Sequence, residues 1–121
     1  MTWLLVAIGG ALGSVTRYGA YRLWPMAPGG WPVPTFVVNL LGSFAIGLLY
    51  MYVAARGSSA DNARLFWMTG VLGGFTTFSS FTYETHALLL QGDPWRAVAN
   101  AAGQVVLGLG AFWAGYALMG Q

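Results

Sequence analysis

Apolar residues run in four long stretches along the chain, parted by three short segments that are polar or break helices. The first stretch covers about residues 3–24 and ends at residues 25–34, where four prolines and two glycines cannot continue a helix. The second covers about 35–55 and stops at Arg56-Gly-Ser-Ser-Ala-Asp61, a polar turn whose last residue suits a helix N-cap. The third covers about 62–91 and closes at Gly92-Asp93-Pro94; the fourth covers about 95–119, with Pro94 at or just before its first turn. Each stretch matches the roughly 20 residues that a membrane crossing requires. The pattern predicts an all-α membrane protein of four transmembrane helices, with residues 1–121 forming a single transmembrane domain. The first stretch lacks a basic flank and an obvious cleavage site, so it reads as a retained span.

Composition strengthens this reading. Of 121 residues, 57% are hydrophobic and 7% charged, against about 25% charged in a soluble domain. Mean hydropathy is +0.62. Eighteen glycines suit close helix packing in lipid. Trp3, Trp24, Trp67 and Trp95 fall near span ends, as an interfacial aromatic belt requires. The basic pI, near 9.3, comes from scattered arginines (Arg17, Arg22, Arg56, Arg64, Arg96) that form neither a nucleic-acid footprint nor a lipid-binding patch. No nucleic-acid partner is expected. The chain contains no cysteine, which removes disulfides, thiolate nucleophiles and thiolate metal sites.

The arginines also bear on orientation. Arg56 and Arg64 lie on one side of a four-span arrangement; Arg22, Arg96 and, deeper, Arg17 lie on the other. So even a distribution specifies insertion weakly. The reading favours dual topology, in which the chain pairs with an inverted copy of itself, over one orientation fixed by some other feature.

The third stretch carries the densest chemistry. From Gly70 to Tyr83 it places Gly73-Gly74 and a run of hydroxyl residues mid-span. A glycine pair weakens a helix, and two short helices explain a stretch this long better than one. A break here would direct main-chain carbonyls at the membrane midplane, where two inverted copies meeting on a twofold axis would offer them to one hard cation. The competing reading makes Gly70-x-x-x-Gly74 a packing motif alone. The hydroxyls of Thr76, Thr77, Ser79 and Ser80 exceed what packing needs and favour the break.

Phe75, Phe78 and Phe81 recur every three residues among those hydroxyls. Their ring edges are electropositive and can face an anion, although such a stripe also suits core packing. Asn39 and Ser43, four residues apart in the second stretch, share a face. The Asn39 amide is either a neutral donor to a small anion or an interhelical hydrogen bond. Arg17 and Glu84 are ionisable groups within apolar stretches. They are functional candidates, a vestibule cation and a proton site respectively, unless they snorkel or pair with each other. His86 and Gln104 stand alone and read as satisfied polar groups between helices. No nucleophile with its base, phosphate loop or paired carboxylates appears, so no enzyme is expected.

Three segments, Gly9-Gly-Ala-Leu-Gly-Ser-Val-Thr-Arg17-Tyr18, Thr35-Phe-Val-Val-Asn39-Leu-Leu-Gly42 and Gly73-Gly-Phe-Thr-Thr-Phe-Ser-Ser-Phe81, resemble in this order the Fluc (CrcB-type) fluoride channels. The resemblance covers essentially the whole chain. It implies an antiparallel, dual-topology homodimer with two parallel fluoride pathways and a third helix broken near the midplane. It further implies a structural sodium ion (Na+) held by the main-chain carbonyls of Gly73 and Thr76. Phe78, Phe81 and Asn39 match the pore residues of the family, Arg17 the vestibule arginine, and Glu84 the acid after the phenylalanine motif. The hydroxyls of Ser43, Thr77, Ser79 and Ser80 complete the expected ion pathway. Ser80 replaces the usual threonine, and residues 103–110 lack the serine or threonine many relatives supply, a gap that Gln104 or Ser43 would fill.

The implied function is passive, fluoride-selective export across the bacterial plasma (inner) membrane by a multi-pass protein, which confers fluoride resistance. The rival is a small dual-topology proton-coupled multidrug exporter. Such exporters resemble one another in a buried glutamate in the first helix, whereas here the first stretch has no acid and Glu84 is the only carboxylate that would serve.

Overall fold

The computed structural model describes residues 1–120 and is helical almost throughout, with no strand among them. Helix α1 is Thr2–Leu23 and α2 is Val33–Arg56. Segment α3 runs over residues 61–75: an α-turn at Asp61–Ala63, a π-helical run at Arg64–Leu72 and an α-turn at Gly73–Phe75. Helix α4 is Phe78–Leu90 and α5 is Pro94–Met119. The stretches Val33–Leu90, which takes in α2 to α4, and Pro94–Met119 are apolar and long enough to cross a membrane. On α5, Val98, Val106, Leu109 and Trp113 all face outward, an exterior suited to lipid and costly in water.

The connections follow from their residues. Asp93 N–H bonds the Leu88 carbonyl and Gly92 N–H the Leu89 carbonyl, a double closure that places Gly92 at φ +78°. Asp93 then caps α5 by accepting from Arg96 N–H at 3.0 Å, and Pro94 fits the first turn, where no N–H is needed. Arg96 also reaches across to the Gly29 carbonyl at 3.0 Å, tying the proline-rich loop to α5.

Two helix pairs build the molecule, and glycine lets each close. Helix α1 lies on α3: a Cβ on Gly9 would meet the Phe66 carbonyl at 2.6 Å, and one on Gly74 would meet the Gly10 carbonyl. Helix α2 lies on α5, where a Cβ on Gly47 would strike the Phe112 carbonyl and one on Gly115 the Phe44 carbonyl. Backbones this near exclude any side chain and gain dispersion contacts that lipid would otherwise supply. Gly42 receives the methyl of Thr76 and so joins the second pair to the end of α3.

The helix interruption lies later than the glycine pair. Gly73 is helical, at φ −63° and ψ −36°. The chain turns extended only at Thr76 (φ −78°, ψ 158°) and Thr77 (φ −151°, ψ 114°). Gly74 is instead used for contact with α1, so packing overrides its weak helix propensity.

Candidate functional site

The interruption is held by a side chain from another helix. In a continuous helix Thr77 N–H would donate to the Gly73 carbonyl. Here it donates to Asn39 Oδ1 at 2.8 Å, and Asn39 Nδ2 donates back to the Thr77 carbonyl at 3.0 Å. One carboxamide thus satisfies both backbone groups of a residue that has left its helix, much as a neighbouring strand would. Thr77 Oγ1 caps α4 by accepting from Ser80 N–H at 3.2 Å, and it donates to Ser80 Oγ at 3.1 Å. On the far side, Arg17 Nη1 lies 3.5 Å from the Thr76 carbonyl.

A cavity of about 270 Å³ opens beside this bracket, lined by Asn39, Ser43, Ile46, Thr76, Thr77, Phe78, Phe81, Gln104 and Val105. None of these residues is charged. The Phe78 and Phe81 rings are tilted by 55° with centroids 5.3 Å apart, and Phe78 is 76% exposed. The opposite side has its own cavity, of about 310 Å³, lined by Ser14, Arg17, Tyr18, Tyr21, Thr77, Ser79 and Ser80. The expected pathway residues therefore fall into two groups. Asn39, Ser43, Phe78 and Phe81 share the first cavity; Arg17, Ser79 and Ser80 share the second; Thr77 lines both. Gly73 lines neither.

Glu84 also lines neither cavity. It accepts from Thr35 Oγ1 at 2.6 Å, and its Oε2 is buried without a partner. Because the single Thr35 proton is committed to Glu84, Tyr21 must donate to Thr35 Oγ1 across 2.8 Å. Arg17 and Glu84, weighed above as a pair, thus have separate partners.

Three further polar residues belong to the site. Asn39 Nδ2 donates its second hydrogen to Gln104 Oε1 at 2.7 Å, and Gln104 Nε2 donates to Asn100 Oδ1 at 3.3 Å. Asn100, fully buried, donates to Thr85 Oγ1 at 2.9 Å, and Thr85 donates to the Phe81 carbonyl at 2.7 Å. The sequence offers Gln104 either as a satisfied polar group between helices or as a stand-in for the missing fourth-span hydroxyl, whereas nothing in it singles out Asn100 and Thr85. The available signal was the four-residue spacing of Asn100 and Gln104, which puts both amides on one face of an apolar helix.

Comparison with known proteins places this arrangement. A family model described as CrcB-like protein, Camphor Resistance (CrcB), matches residues 4–116. The chain belongs to the CrcB family. Among its CrcB relatives, the Fluoride-specific ion channel FluC of one Thermus thermophilus strain is 50% identical over 119 residues, 98% of this chain and 94% of that protein. The protein of the same name from a second Thermus thermophilus strain is 49% identical over 120 residues, 98% and 93% of the two chains. Fluoride-specific ion channel FluC 2 of Nitrobacter hamburgensis is 44% identical over 120 residues, 98% and 97%. These names describe ion channels, not enzymes, and with the apolar helices they mark a CrcB membrane protein.

Proposed function

We propose that this chain is a fluoride-selective channel that passively releases cytoplasmic fluoride and so reduces its toxicity. The observation that carries the reading is the uncharged cavity between α2, α4 and α5, lined by hydroxyls, amides and two phenyl rings, in a chain half identical to a protein named a fluoride-specific ion channel. Fluoride is small and strongly hydrated, so selective passage needs donors that replace its water. Hydroxyl, amide N–H and ring-edge donors do so without a fixed positive charge that would hold the ion. Neutral HF crosses membranes and dissociates inside at neutral pH; a passive path with an outward driving force then suffices. No observation favours the proton-coupled exporter, whose required acid is absent from α1.

The working unit in this reading is an antiparallel homodimer of four-span chains in the bacterial inner membrane. The exposure of Phe78 supports it, since an anion path beside that ring needs a second wall. A structural sodium ion fits the backbone at the interruption. The Gly73 carbonyl has lost its helical donor to Asn39, and the Thr76 carbonyl carries only the long Arg17 contact, leaving a lone pair free. Carbonyl oxygens suit such a hard cation, whose charge would hold the two copies together.

Growth tests the function. A bacterium lacking its own fluoride export should grow, when it carries this chain, at fluoride concentrations that arrest the vector control. Absence of rescue with the protein present in the membrane would contradict the reading. Dual insertion predicts that a C-terminal tag is accessible from both membrane faces; labelling from one face alone would count against it.

A further inference from the structure

One face of α2 borders three cavities in succession. Asn39, Ser43 and Ile46 line the cavity beside the interruption, and Ser43 and Ile46 also line a neighbour of about 380 Å³ that extends past Gly108, Leu109 and Phe112. Further along α2, Tyr50, Val53 and Ala54 line another of about 360 Å³, completed by Arg64 and Met68 of α3. Steps of four, three, four and three residues join Asn39, Ser43, Ile46, Tyr50 and Val53, which places all five on that face. An aromatic pair stands where the second cavity gives way to the third: Phe112 borders one and Tyr50 the other, edge to face with ring centroids 6.3 Å apart. Because α2 ends at Arg56, the series leads from the interruption toward the turn that joins α2 to α3. Arg17, on α1, lines a separate cavity on the other side of Thr77.

Two arginines stand at that turn, and the structure treats them differently. Arg56 donates to the Tyr52 hydroxyl at 2.7 Å, its guanidinium lies 4.3 Å from the Tyr52 ring centroid, and it lines none of the three cavities. Arg64 lines the last of them, whose other walls are uncharged. Its ion pair with Asp61 spans 3.7 Å between side chains that are each more than half exposed, so water leaves it weak. A fixed cation at the end of an apolar-walled groove focuses its field along the groove and raises the local concentration of anions.

We infer that the three cavities form one anion path and that Arg64 is its collecting mouth at the α2–α3 end, with Asp61 setting the strength of that mouth. The inference rests on the fluoride-channel reading. Arg64 gathers fluoride without trapping it, since the charge is solvated and partly offset by Asp61.

Fluoride efflux from proteoliposomes separates this role from a structural one, with wild type, Arg64→Gln, Arg56→Gln and Asp61→Asn each measured at low and high potassium gluconate. At low salt and low fluoride, Arg64→Gln should slow efflux about fivefold, the worth of a unit charge met at about 4 Å in water. Its maximal flux at saturating fluoride should match wild type. Asp61→Asn should speed efflux by no more than the same factor, and Arg56→Gln should change it by less than about twofold. Both differences should vanish near 1 M salt, where the Debye length shrinks to about 3 Å from about 30 Å at 0.01 M. A loss in Arg64→Gln that persists at high salt, an equal loss in Arg56→Gln, or slower efflux in Asp61→Asn would overturn the mouth. If Arg64→Gln does not assemble, the sign and salt dependence of the Asp61→Asn effect decide. Wild type without fluoride flux would overturn the channel reading and this role with it; wild-type flux with variants that show no salt-dependent difference would overturn this role alone.

Discussion

The α2–α5 seam and the interruption between α3 and α4 both bring backbones together in an apolar setting, by opposite means. At the seam, glycine removes the side chain: Gly47 faces the Phe112 carbonyl and Gly115 the Phe44 carbonyl. Every backbone group there remains within its own helix, so closeness costs nothing in hydrogen bonding. At the interruption the helix ladder stops, and a side chain replaces the missing backbone partner: Asn39 takes both polar groups of Thr77. The first solution yields a close-packed wall of backbone against backbone. The second leaves polar atoms around an open cavity, where an ion can exchange its water for protein donors. Gly42 links the two, since its missing side chain admits the Thr76 methyl at the base of the interruption.

Substitutions that add a side chain to the wall should do the most structural damage. Gly115→Leu drives a Cβ into the Phe44 carbonyl and should cost about 3 kcal/mol or more, as severe overpacking does. Loss of monodisperse protein in detergent would register it, and normal assembly would show that the seam is loose. Asn39→Leu comes next. It strands the Thr77 N–H and carbonyl together with Gln104 Oε1, at a cost of about 2 kcal/mol for groups left unpaired; thermal unfolding should shift down and fluoride flux should vanish. Thr77→Val removes the cap on α4 and should cost about 1 kcal/mol, read by the same unfolding assay. Phe81→Ile should disturb stability least, by under about 1 kcal/mol, yet sharply lower flux because the ring edge is lost. Near-normal efflux from that variant would sink the role of the ring.

Much of the wall and part of the site could be read from the residues alone. Prolines and glycines at residues 25–34 and at 92–94 set the helix ends, because proline cannot continue a helix and Gly92 takes a positive φ. Asn39, Ser43, Thr77, Phe78 and Phe81 stood out as polar or aromatic groups in apolar runs, and the structure gathers them at one cavity. The position of the interruption was less legible. Intrinsic propensity points to Gly73-Gly74, but Gly74 is held helical by its contact with α1, a long-range constraint, and the backbone is freed at Thr76 and Thr77 instead. Arg17 falling on the other side of Thr77 depends on how α1 lies on α3, and Asn100 and Thr85 joining Gln104 on the register of α5 against α2 and α4. Spacing along one helix does not contain that register. The π-helical run at Arg64–Leu72 has no distinct signature in the hydrophobic pattern either.

The central claim is a neutral, donor-lined path that passes fluoride and rejects chloride without an energy source. It is tested most directly by loading liposomes containing the purified protein with both halides and following each with an ion-selective electrode after ionic release is triggered, with no proton gradient present. The account predicts rapid fluoride efflux and chloride efflux no faster than from protein-free vesicles. Equal release of both ions, or fluoride release only when a proton gradient is imposed, would contradict it.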